Sequence, residues 1–155
     1  MRDDDLQQLR SVIAVSRSAA EHGNQPFGAT LVDEHGKLLL QAENTQVTDR
    51  DCTGHAETNL MREAFRRFGR SELEKCTVYA STEPCAMCAA AIYWGGVRRV
   101  VYALGAQAAD ELAGGRADNL ALSCREVFAR GRREIDVAGP LLEQEAMQPV
   151  KAFWR

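Results

Sequence analysis

Cys76-Thr77-Val78-Tyr79-Ala80-Ser81-Thr82-Glu83-Pro84-Cys85-Ala86-Met87-Cys88-Ala89-Ala90-Ala91-Ile92-Tyr93-Trp94-Gly95-Gly96-Val97-Arg98-Arg99-Val100-Val101-Tyr102-Ala103 reads as strand, helix and strand in immediate succession. The β-branched and aromatic run at 76–80 is a short strand. Pro84 suits the first turn of a helix, where its missing N–H costs nothing, and that helix runs to Trp94. Gly95-Gly96 stops it, and residues 99–103 form the next strand. Upstream, Leu60, Met61, Ala64, Phe65 and Phe68 give one apolar face to a helix at 55–68, ended by Gly69. A polar loop at 45–54 precedes it. Strands at 26–32 and 37–41 turn about Glu34-His35-Gly36, and Leu6, Leu9, Val12, Ile13 and Val15 mark a first helix at 5–22. Downstream the expectation is a Gly/Ala-rich loop at 104–117, a helix at 119–130, a strand at 134–137 and a last helix at 141–154. The order αββαβαβαβα implies an α/β fold, a three-layer α/β/α sandwich around one mixed five-stranded sheet.

Two fragments stand apart from this apolar patterning: His55-Ala56-Glu57 at one helix start and Pro84-Cys85-Ala86-Met87-Cys88 at the other. Two cysteines three residues apart share a helical face and can grip one ion. With His55 they supply three of the four corners that Zn²⁺ prefers. A helix N-terminus favours the thiolate form that a metal requires. Three protein ligands leave one position free for water, as catalytic sites do and closed structural sites do not. Glu57, two residues past His55, is placed to carry protons beside the metal rather than to bind it, and such a carboxylate suits hydrolytic deamination. Other readings of the fragments stay open: a redox pair for Cys85 and Cys88, or a closed zinc site completed by Cys52 or Cys76.

His55-x-Glu57 followed by Pro84-Cys85-x-x-Cys88 resembles the cytidine deaminase-like zinc deaminase superfamily, and element order and motif spacing agree over nearly the whole chain. The resemblance implies that His55, Cys85 and Cys88 bind Zn²⁺ and that Glu57 is the proton shuttle. It is nearest to the guanine deaminase and nucleoside deaminase branch, on the strength of Pro26-Phe27-Gly28-Ala29 and Ala91-Ile92-Tyr93-Trp94. A zinc-dependent aminohydrolase acting on a small purine-type base or nucleoside is therefore expected, guanine or a guanine-like aminopurine or aminotriazine first. A tRNA adenosine deaminase is the alternative, and a non-catalytic, zinc-stabilised module is the alternative of another class. Asn44 falls where the family has a substrate-contacting Asn. Phe27 and Trp94 offer faces for stacking on a base, and the backbone N–H of Ala56 could reach a substrate carbonyl. The branch also carries an acid after the fourth strand, for which Asp110, Glu111 and Asp118 compete, and a C-terminal cap, for which Phe153 and Trp154 stand. Relatives imply a homodimer.

Composition bounds the rest. The 155 residues fit one domain, 1–155, able to bury a core unaided. Nineteen Lys and Arg against 22 Asp and Glu give a net charge of −3, which counts against a nucleic-acid partner. The arginines at 62, 66, 67, 70, 130, 132 and 133 alternate with acids and read as solvated surface. No run of about 20 apolar residues suggests a membrane span. Five cysteines without a signal-like N-terminus suggest reduced thiols and a cytoplasmic location.

Overall fold

The computed structural model describes residues 1–115 and 118–155. Its elements are α1 (Asp5–Glu21), β1 (Gly28–Val32), β2 (Leu38–Glu43), α2 (Ala56–Arg67), α3 (Arg70–Leu73), β3 (Thr77–Thr82), α4 (Ala86–Gly95), β4 (Arg99–Leu104), α5 (Ala106–Leu112), α6 (Cys124–Ala129), β5 (Asp136–Ala138) and α7 (Glu143–Phe153). The strands form one mixed sheet in the order β2-β1-β3-β4-β5. β1 is antiparallel to β2 and β3, while β3, β4 and β5 run parallel. β3 and β4 are buried along their whole length, as parallel strands covered on both faces must be.

Alternation along the strands sends side chains into two cores. Leu31, Val78, Ala80, Val100 and Tyr102 meet Leu60 and Met61 of α2, Ile92 of α4 and Phe128 of α6 on one face. Val32, Tyr79, Val101 and Ala103 meet Leu9, Val12 and Ile13 of α1, Ala109 of α5 and Val150 of α7 on the other. The result is the expected three-layer sandwich. Gly28 is where α1 comes closest to the sheet: a Cβ there would sit 2.8 Å from Val15 and 2.9 Å from the backbone nitrogen of Ser16. Gly96 ends α4 in the left-handed region at φ 96°, which a residue without Cβ adopts freely.

Four details differ from the sequence reading, the first being the one-turn helix α3 at Arg70–Leu73, beyond the Gly69 stop. Residues 106–112 form α5 rather than loop; Ala106, Ala108 and Ala109 have the highest helix propensity, and Gly105 serves as its N-cap. Residues 116 and 117 of the expected loop lie outside the described residues. The helix expected at 119–130 begins only at Cys124, because Ser123 accepts from Glu126 N–H while the Glu126 carboxylate accepts from Ser123 N–H. Pro84 precedes α4 instead of entering it, and Cys85 takes the N-cap position. Among the described residues no helix is long and apolar enough to cross a membrane.

Candidate metal centre and active site

α2 and α4 pack side by side, and their N-termini meet beside the C-terminal ends of β3 and β4. His55 caps α2 and Cys85 caps α4, both in extended conformation. Asn59 anchors the first turn of α2 to the end of β2, donating to the Glu43 carbonyl at 3.0 Å and to the Thr45 hydroxyl at 2.9 Å. The donor atoms of His55, Cys85 and Cys88 then all lie within 4.8 Å of one another. His55 Nδ1 is 3.4 Å from Cys85 Sγ, and donors around tetrahedral zinc would stand about 3.5–3.8 Å apart. Thr58 Oγ1 lies 3.2 Å from Cys88 Sγ, within hydrogen-bond reach of that sulfur.

The chemistry of the donors matches the geometry. A hydrogen bond from Cys88 and one from His55 draw the Cys85 thiol down to about 4 against the effect of burial. Cys88 is pushed up because Cys85 beside it carries the charge and because it is buried. Two sulfurs sharing one proton beside an imidazole are the set a dication takes over when it displaces that proton. The residues present therefore fit zinc. Glu57, on the first turn of α2, is only 6% exposed, and burial raises its carboxyl to about 7.

A cavity of about 250 Å³ opens over this centre. His55, Glu57 and Cys85 share its wall with Asn44 and Phe27. The Asn44 N–H donates to the Phe27 carbonyl just beyond the β1–β2 pairing, at 3.0 Å, so the hairpin brings these two side chains to one place. The Asn44 amide is held by Gln46, which accepts from Nδ2 at 2.8 Å and donates its backbone N–H to Oδ1 at 3.0 Å. Ala56 is fully buried at the start of α2, behind the cavity wall.

Trp94 requires correction. It is 73% exposed and stacks edge-on against Tyr93. Nine residues of helix carry it about 13 Å from Cys85, to the far end of α4. Its place in the cavity is taken by Trp154, whose ring centroid lies 6.0 Å from that of Phe27; Phe153 packs edge-on behind it, 4.6 Å away. Of the three acids after β4, Asp110 and Asp118 line the cavity and Glu111 does not. Gln46 and Glu83 also line it and were not singled out in the sequence, where neither carries a spacing signal.

Residues 2–104 match the family described as the cytidine and deoxycytidylate deaminase zinc-binding region. The chain belongs to this family. A relative from Schizosaccharomyces pombe (strain 972) named "Probable cytosine deaminase" is 40% identical over 99% of this deaminase and 94% of its own length. A tRNA-specific adenosine deaminase of Bacillus subtilis (strain 168) is 32% identical over all of this chain and 91% of its own. Among solved structures, a guanine deaminase from Nitrosomonas europaea superimposes with a TM-score of 0.74 at 25% identity, covering 94% of this deaminase and 81% of that chain. The centre is that of a zinc-binding deaminase domain.

Proposed function

We propose that this deaminase hydrolyses the exocyclic amine of a small nitrogen heterocycle, free base or nucleoside, with guanine or a guanine-like aminopurine or aminotriazine first. The observation that carries the reading is one cavity shared by the His/Cys centre, Glu57, Asn44 and the carboxylates of Asp110 and Asp118. Its volume, about 250 Å³, falls just under the roughly 300–1,000 Å³ usual for drug-sized ligands and suits one base. Asp110 and Asp118 are acceptors for the N–H donors along the amino edge of guanine, and the Asn44 amide both donates and accepts. Phe27 and Trp154 supply ring faces for stacking.

In this reading His55, Cys85 and Cys88 hold zinc, which when bound supplies Lewis-acid activation of water at neutral pH. Glu57 takes one proton from the attacking water and gives it to the ring nitrogen beside the aminated carbon. The proton left on the new hydroxyl travels by the same carboxylate to the amine. The C–N bond then breaks, ammonia leaves, and a carbonyl remains.

Cytosine is the second reading, favoured by the name of the relative that is 40% identical over 99% of this chain. Against the tRNA reading, several of the arginines stand away from the cavity. Arg98, Arg125, Arg132 and Arg133 line a separate cleft at the starts of β4 and β5, roughly 20 Å along the strands from the cavity. Arg67 and Arg70 are paired with Glu63 and Glu74. The test is ammonia release by the zinc-loaded protein from guanine, guanosine, adenine, adenosine, cytosine, cytidine, aminotriazines and a tRNA with wobble adenosine. Turnover of a small aminopurine or aminotriazine is expected, and cytosine alone would select the second reading. Release from the tRNA alone, or from nothing while zinc is retained, overturns the proposal.

We further propose a homodimer. Phe65 on α2 and Trp94 on α4 are 56% and 73% exposed on adjacent helices, an apolar surface that a second copy would cover. Light scattering should give about twice the chain mass of 17.1 kDa, and a monomer mass at micromolar concentration contradicts it.

A further inference from the structure

We infer that Glu83 is a positioning residue that fastens the substrate-facing wall of the cavity to the turn carrying Cys85. The residue stands between the end of β3 and Pro84-Cys85. Its own N–H donates to the Leu104 carbonyl at the end of β4, at 2.7 Å. Its two carboxylate oxygens each accept a different backbone N–H: Oε2 from Ala106 at 3.1 Å and Oε1 from Cys124 at 3.2 Å.

Ala106 and Cys124 are the first residues of α5 and α6. The first N–H groups of a helix have no partner within it, so one side chain satisfies a helix-start donor on each. A carboxylate also complements the partial positive charge of both helix starts. Between these two anchors lie Ala109, Asp110, Asp118 and Leu120, which line the cavity. The Cys85 ligand follows Glu83 by two residues. A single carboxylate thus ties both ends of the wall that faces the substrate to the turn that holds the metal. His55, Cys85 and Cys88 depend on α2 and α4 and do not need the clamp to stay together. The inference rests on the proposed function only for its kinetic consequence.

Glu83→Gln isolates the effect. The amide oxygen can still accept one N–H, but its NH₂ faces the other, donor against donor. In the zinc-loaded protein, amide hydrogen exchange should speed up about 10-fold or more at Ala106 or Cys124 and in the flanking residues 107–115 and 118–123, since bonds to charged acceptors carry at least that factor. Zinc content should stay close to wild type, and the melting temperature should fall by only a few degrees. KM for the substrate found by ammonia release should rise about 10-fold with kcat within about threefold, because the wall is loosened and the reacting groups are not. Glu83→Ala should release both amides.

Unchanged exchange at Ala106 and Cys124 in both variants overturns the inference. So does loss of zinc in Glu83→Gln, or a fall in kcat at constant KM, which would make Glu83 part of the proton chemistry. If the wild type releases no ammonia from any compound, the deaminase reading fails, and the exchange measurement still decides the clamp.

Discussion

Glu57→Gln is expected to retain a full equivalent of zinc and to lose about 10²–10⁴-fold in kcat with little change in KM, the usual weight of a positioned general acid–base group. The substitution keeps the shape of a side chain that is almost wholly buried yet lines the cavity. It removes only the capacity to take a proton and give it up again. Two transfers depend on that carboxylate in the proposed reaction, one to the ring nitrogen and one to the leaving amine, so both stages slow together. His55→Ala is the companion variant, and it should lose zinc, because two sulfurs alone leave the centre short of a donor. Metal analysis beside steady-state kinetics separates the two behaviours. A Glu57→Gln protein within tenfold of wild-type turnover would falsify the shuttle role, and the centre would then have to work by metal and positioning alone.

The metal centre was legible because its information is local. Cys85 and Cys88 are one helical turn apart, and His55 and Glu57 share one helix start, so spacing alone placed the members of each pair. The two pairs meet because strand–helix alternation brings both helix starts to the same edge of the sheet. Trp94 failed for the converse reason: nearness in sequence to Cys88 is not nearness in space along a rising helix. Trp154, expected at the site only through the resemblance as part of a C-terminal cap, reaches the cavity because α7 packs on α1 across the second core, a contact between residues far apart in the chain that no short window encodes. Asp110 depends on α5, whose alanines were outweighed by the glycines around them in the sequence reading. Ser123 and Glu126 did carry a readable start for α6, serine followed three residues later by glutamate. Glu83 is silent in the sequence because its partners are backbone N–H groups, which every residue but proline possesses.

Asp5→Ala should destabilise the fold by about 3–5 kcal/mol, as removal of one member of a buried ion pair usually does. For a chain of this size that is about 10 °C or more in Tm. Asp5 opens α1 and is completely buried, with Arg99 donating to both of its oxygens at 2.9 and 2.7 Å. The Tyr79 hydroxyl and the Arg2 backbone N–H donate as well, each at 2.7 Å. These contacts tie α1 to β3 and β4 beneath the second core. Burial alone would raise the Asp5 carboxyl, but the hydrogen bonds from Arg99, Arg2 and Tyr79 override it and hold the group well below the usual carboxylate range. A depressed native value means that the unfolded chain takes up the proton first as pH falls. The Asp5 contribution is therefore complete above the ordinary aspartate value of 3.8 and is lost progressively below it. Denaturant unfolding at neutral pH should show the full gap between wild type and Asp5→Ala. Below pH of about 4 that gap should narrow, because only the wild type has this charge left to lose. Arg99→Met alone should be comparably damaging, since it strands the buried carboxylate. The double variant Asp5→Ala/Arg99→Met should cost less than the two single changes added together, because neither charge is then left without its partner. Strict additivity of the two would mean that the bidentate pair is not coupled, and the stability of this corner would have to come from the apolar packing around Tyr79 instead.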